Sequence, residues 1–202
     1  MKKMRTLLIL MITLLAVTCP VSAASQRTAV KKVTTNYLKA VKTLNDKKMA
    51  KYSSGEEAAD ASLKQSTLFK TIRRYNKKYF SYKIKAVTIS GDQTRASVKV
   101  SLKYKSLYKP VYKSILQTMQ KAVKLAQKNK EMSERQIFND IGRRMKKNIK
   151  KYPPKTKTAR ITLNLIKTDA GWKIDNTNIK NPDPFVCDMM KGIKKAEKAF
   201  EK

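Results

Sequence analysis

Histidine is absent from the 202 residues. That absence excludes Ser-His-Asp and Cys-His nucleophilic systems, and every metal site that depends on imidazole. Cysteine is nearly absent too: Cys19 and Cys187 are the only two, too few for a disulfide framework. Five glycines and six prolines are too few for a long flexible or low-complexity chain. Negative charge is scarce, with 14 Asp and Glu against 47 Lys and Arg, a formal charge of +33. There is no Gly-rich phosphate loop, no nucleophile elbow and no cysteine pair for a metal. The chain therefore reads as non-enzymatic, with no cofactor and no metal expected.

What is present begins with an address. Lys2, Lys3 and Arg5 precede an apolar stretch from Leu7 to Val17, and Val21-Ser22-Ala23 follows with small residues at a cleavage position. This order is that of a secretory signal peptide over residues 1–23, cut after Ala23. The apolar stretch is well short of the roughly 20 residues a spanning helix needs. An uncleaved N-terminal anchor is the alternative. Cys19 raises a lipoprotein reading, but Thr18 stands where such a motif has a small residue, and Pro20 follows. With the cut after Ala23 only Cys187 remains, as a buried thiol or an intermolecular bridge. An exported chain with no internal disulfide fits a Gram-positive envelope or medium. The expected location is secreted, or the extracellular face of the cell envelope.

Residues 24–202 are expected to fold as one domain. Val30, Val33, Tyr37, Val41 and Leu44 mark a helix from about Gln26 to Lys51. Ser53 with Glu56, or Ser54 with Glu57, has capping-box spacing. Leu68, Ile72, Tyr75 and Tyr79 continue a helical stripe. The period then changes to two. Tyr82 and Ile84 alternate with lysines, the register shifts at Ala86-Val87, and Ser90-Gly91-Asp92-Gln93 reads as a turn. Ala96, Val98, Val100, Leu102 and Tyr104 form the return strand, so the hairpin has one apolar and one wet, basic face. A helical hairpin follows over 109–152, with thirteen Lys or Arg against three acids. Its stripes are Val111, Ile115, Met119, Ala122 and Ala126, then Ile137, Ile141, Met145 and Ile149; Ser133–Gln136 caps the second helix and Pro153-Pro154 ends it. A second hairpin runs through Ile161, Leu163 and Leu165, the Asp169-Ala170-Gly171 turn, and Trp172, Ile174 and Asn176. Asp183-Pro184 starts a terminal helix marked by Phe185, Met189, Ile193, Ala196 and Phe200.

The fold class is thus α+β: N-terminal helices packed on a curved four-stranded antiparallel sheet, a helical hairpin inserted between the strand pairs, and a C-terminal helix. The segment Val87–Val98, a strand, Gly-Asp turn and Ala-x-Val strand, together with Asp169-Ala170-Gly171-Trp172-Lys173-Ile174, resembles the nuclear-transport-factor-2-like domains (cystatin-like cone folds) of secreted bacterial proteins of uncharacterised function. The likeness spans roughly Gln26 to Ile179. It implies a cone with helices before the sheet; the inserted basic pair and the terminal helix depart from it. Enzymes of that superfold often use an Asp with a His or Tyr inside the cone. No catalytic residue is carried over to a chain without histidine.

Three groups of side chains are candidates. Asp92, Asp169 and Asp175 are the acid-base candidates, but the first two sit at turns and Asp175 alternates away from Trp172 and Ile174. Tyr37, Tyr82, Tyr104 and Trp172 are candidates to line a cone pocket for a small apolar ligand, or else to fill the core. Arg143, Arg144, Lys146, Lys147, Lys150 and Lys151 are dense enough to form a polyanion-binding patch. Partners expected of such a surface are anionic cell-wall polymers or a membrane surface. Sequence-specific nucleic-acid recognition is not expected, because lysine predominates and no exposed aromatic platform accompanies it. The preferred reading is a binding or adaptor protein held by electrostatics, the runner-up a carrier of a small apolar ligand, the third a cryptic enzyme. Oligomeric state is left open.

Overall fold

The computed structural model describes residues 23–54, 61–179 and 182–200. The residues before Ala23, where a signal peptide is expected, and the Glu56 and Glu57 partners of the two expected capping boxes lie outside them. Among the described residues there are seven α-helices and one four-stranded antiparallel sheet of order β1-β2-β3-β4. None of these helices is long and apolar enough to cross a membrane.

Helix α1 (Ala23–Thr43) buries Val30, Tyr37, Leu38 and Val41 at helical spacing. It does not run on to Lys51. Leu44 takes the left-handed conformation (φ 46°), donating its N–H to Val41 O, while Asn45 N–H reaches Ala40 O. These two bonds close a Schellman-type end, at a leucine where glycine is the usual occupant. Asn45 then caps α2 (Asp46–Tyr52) by accepting the Lys48 N–H at 3.0 Å. A short α3 (Ala61–Gln65) leads through the Ser66 cap into α4 (Thr67–Tyr79), whose buried face is Leu68, Thr71, Ile72, Tyr75 and Asn76.

Strands β1 (Ser81–Ile89) and β2 (Arg95–Lys105) pair with a register shift between Ile84 and Ala86. The extra residue keeps Val87 and Ile89 on the same face as Tyr82 and Ile84, so the alternation survives the bulge. On β2, Ala96, Val98, Val100, Leu102 and Tyr104 are all buried. The Ser90–Thr94 turn is locked by Asp92, whose carboxylate accepts from the Ser90 hydroxyl and from the Thr94 N–H and hydroxyl.

The chain leaves the sheet at Leu107, fully buried, for α5 (Tyr108–Ala126) and α6 (Glu134–Lys151), and returns as β3 (Thr156–Thr168) paired to β2. The capping box of Ser133 and Gln136 is formed. Helix α6 packs on α4 as well as α5. Gly142 permits the approach, since a Cβ there would run into the Leu68 backbone. Strand β4 is short (Gly171–Ile174), and the expected extension to Asn176 fails because Asp175 caps a 3-10 turn, Asn176–Asn178.

The terminal helix also differs from expectation. Asp183 and Pro184 open a 3-10 turn (Asp183–Val186), Cys187 and Asp188 follow in the left-handed region (φ 55° and 61°), and α7 spans only Met189–Phe200. Phe185 is buried, but Phe200 is 38% exposed. The bend turns Asp188 inward. One apolar cluster, from Val30 to Cys187 in sequence, joins the inner sheet face to the helices.

Candidate polyanion-binding surfaces

Helix α6 carries all six candidate cations. Arg143, Lys146, Lys147, Lys150 and Lys151 recur three or four residues apart and are all exposed. Arg144 is not part of the free patch. Its Nε donates to Asp140 Oδ2 at 2.5 Å, and its side chain is only 30% exposed. Asp140 is buried and also accepts from the Thr118 hydroxyl at 2.9 Å, with Lys121 and Arg143 each at 3.4 Å. Burial raises the Asp140 carboxyl, but the hydrogen bonds from Arg144 and Thr118 and the charges of Arg144 and Lys121 outweigh it and hold the pKa below the usual value.

Asp140 belongs to a polar seam between α5 and α6. The Asn148 amide donates to Ser114 Oγ at 2.9 Å and to Gln117 Oε1 at 3.1 Å. On α5, Pro110, Val111, Ser114 and Thr118 are buried and Ile115 packs against the core, so the expected stripe holds at Val111 and Ile115, while Ala126 at its far end is exposed. Hydrophobic periodicity passes over such a seam because Ser and Thr count as polar.

A second buried carboxylate lies at the start of α7. Asp188 accepts from Tyr104 Oη at 3.0 Å, Ser106 Oγ at 2.7 Å and Lys157 Nζ at 2.7 Å, with Lys191 at 3.6 Å. It is fully buried. It ties β2, β3 and α7 together, and this pull explains the left-handed bend at Cys187-Asp188. Burial and the charge of Asp188 push the neighbouring Cys187 thiol up to about 12. That thiol is buried and donates to Asn76 Oδ1 at 3.2 Å.

The four aromatic candidates are held by packing and hydrogen bonds. Tyr37, Tyr104 and Trp172 are buried and Tyr82 is half-buried. Tyr37 Oη reaches Asn176 Oδ1 at 3.3 Å, Tyr82 Oη donates to Thr35 O at 3.3 Å, and Trp172 Nε1 donates to Gln26 Oε1 at 2.7 Å. Open clefts among the described residues are lined by other side chains. One, about 380 Å³, sits among Tyr108, Tyr152, Pro153, Pro154 and four lysines. Another, about 590 Å³, lies along α5 beside Arg144. A third, about 460 Å³, is at the turn end of the outer sheet face, with Thr88, Ser97, Asn164 and Asp175. Asp92 and Asp169 are exposed, and hydrogen bonds from Ser90 and Thr94 pull the Asp92 carboxyl down to about 2. Asp92 and Asp175 serve as local caps.

Residues 23–184 match a family described as Domain of unknown function (DUF5105). The chain belongs to that family. The match runs from the start of α1 to the 3-10 turn before α7, and takes in both the sheet and the inserted helical pair. No curated protein and no solved structure matches this member of the family.

Proposed function

We propose that this protein is a secreted or cell-envelope-associated binding protein, held on anionic wall or membrane polymers by its basic surface. The order of charge, apolar stretch and small residues over 1–23 supports export. The Val87–Val98 hairpin and the turn before Trp172 support a nuclear-transport-factor-2-like cone beneath the added helices. The carrying observation is the exposed face of α6: Lys146, Lys147, Lys150 and Lys151 within two turns, with Arg143 beside them at the edge of the Asp140 cluster and Arg144 matching that buried acid. A surface of that kind attracts polyanions over a distance set by ionic strength, and it acts mainly on the rate of encounter. Of the three buried carboxylates among the described residues, Asp140 and Asp188 are committed to cations and Asp183 accepts the Lys191 N–H, which favours a binding role over acid-base chemistry.

The test is retention of purified protein on an anionic wall preparation across a salt series. Retention is expected to fall steeply as salt rises. Changing Arg143, Lys146, Lys147 and Lys150 to Gln, with Arg144 left to neutralise Asp140, is expected to slow association several-fold. Retention indifferent to salt sinks the reading.

A further inference from the structure

The outer face of the sheet carries a second set of cations with a different arrangement. Register places Lys83 opposite Ser101 on one side and Arg160 opposite it on the other. Along β2, Lys99 and Lys103 stand two residues to either side of Ser101. Side chains two apart on a strand share a face. Four cations therefore surround one serine hydroxyl.

No acid stands among the strand positions around Ser101; Asp175 lies beyond them at the turn end of the face, beside Ser97 and Asn164. The outward positions of β2 are Arg95, Ser97, Lys99, Ser101, Lys103 and Lys105, and those of β3 opposite them include Thr158, Arg160, Thr162 and Asn164. Lys83, Lys99, Lys103 and Arg160 are exposed, and among the described residues none has an ion-pair partner. Like charges gathered on one sheet face work against the fold. An outside anion removes that repulsion.

We propose that this face is the binding surface for a linear phosphodiester polymer, laid along β2 across Ser101. The proposal rests on the polyanion reading above and names the surface and the polymer. A chain on that path meets Lys103, then the Lys83–Arg160 pair, then Lys99, at steps of about 7 Å set by two residues of strand rise. This is the order of the phosphate spacing in an extended short-polyol phosphate chain. Thr158, Thr162 and Ser101 supply hydroxyls between the cations, suited to phosphate oxygens and polyol hydroxyls alike. No aromatic ring stands among these outward positions, so bases have nothing to stack on. No row of large apolar side chains stands among these outward positions to enter a bilayer. The face thus suits a hydroxylated phosphodiester chain over single-stranded nucleic acid or lipid.

The experiment measures association and dissociation of a linear poly(glycerol phosphate) with the purified protein over a salt series. Two variants remove the same number of charges: the sheet variant (K83Q/K99Q/K103Q/R160Q) and the helix variant (R143Q/K146Q/K147Q/K150Q). The sheet variant is expected to dissociate at least tenfold faster, and the slope of log affinity against log salt to fall by about 3 for four lost contacts. The helix variant is expected to change chiefly the association rate. Equal losses in both variants, or a sheet variant that behaves as wild type, overturn the proposal while leaving the broader reading intact. Tighter binding to oligo-dT or to phosphatidylglycerol vesicles than to the polymer, lost in the sheet variant, also overturns it. If wild type binds none of the three at low salt, the broader reading falls as well.

Discussion

The helical hairpin and the outer sheet face are both rich in cations, yet they balance them differently. On α6 and at the start of α7, cations gather around a buried acid: Arg144, Lys121 and Arg143 around Asp140, Lys157 and Lys191 around Asp188. On the sheet face, Lys83, Lys99, Lys103 and Arg160 surround a neutral hydroxyl. The first arrangement serves the fold, because an acid taken out of water needs its partners. The second has no such internal use. A high positive charge spread evenly over a surface would not sort itself in this way, so the contrast separates structural cations from cations available to a partner.

The contrast breaks most severely at Asp188. Asp188→Asn is expected to cost about 3 kcal/mol, the lower part of the range for removing one member of a buried ion pair, because Lys157 is 48% exposed and can turn to solvent. Denaturant unfolding measures it. The pH dependence gives the sign independently. Burial raises the Asp188 carboxyl, but hydrogen bonds from Lys157, Ser106 and Tyr104, with the charge of Lys157, bring its pKa below the ordinary 3.8. A carboxyl lowered in the folded state contributes fully above its unfolded pKa and loses that contribution as pH falls from there through the folded value. Wild type should therefore lose stability below about pH 4, and the variant should lose less over the same window. An Asp188→Asn protein as stable as wild type would end the claim that the fold needs this acid.

Asp140→Asn should cost less, about 1–2 kcal/mol, since solvent screens its partners: Arg143 is 65% exposed, Lys121 42% and Arg144 30%. The same unfolding curves measure it. In polyanion association this variant should match wild type or exceed it, because freed cations add to the helix face. Slower association would mean that the α6 cations act only when Asp140 holds them in place.

The two regions were not equally open to a reading of the sequence. The sheet faces follow from strict alternation between Arg95 and Tyr104, and the bulge from the break in it near Ala86. The α6 cap follows from Ser133 and Gln136 at capping-box spacing. Where long-range polar contacts decide the structure, local pattern is silent. Ser114, Thr118 and Asn148 are polar by type and buried only because they meet across the α5–α6 seam. Asp188 is drawn inward by side chains 84 and 31 residues away, which turned an expected single helix from Asp183 into two pieces. Leu44 in a left-handed conformation defeats the expectation that a leucine at helical spacing continues its helix; the Asn45-Asp46 cap just after it is the local signal of the break. The ring around Ser101 needs strand register, since Lys83 and Arg160 are far apart in sequence.

The smallest expected effect sharpens the contrast most directly. If Ser101 lies at the centre of an unbalanced cationic ring, a carboxylate placed there supplies the counter-charge the fold lacks. Ser101→Glu introduces opposite-charge pairs on the sheet surface, each contributing roughly 0.2–1 kcal/mol. With screening at this half-exposed position, a net gain of about 1 kcal/mol is expected, or a rise in Tm of about 2–4 °C for a protein of this size. The same substitution should weaken polymer binding, because it occupies the place of the phosphate. Gln127→Glu, at the exposed end of the helical hairpin, makes the same change in net charge and should do neither. Higher stability bought at the expense of binding, at Ser101 and not at Gln127, is the signature of cations kept for a partner. Lower stability at Ser101 would show that the serine itself is the packing requirement and that the ring carries no stored repulsion.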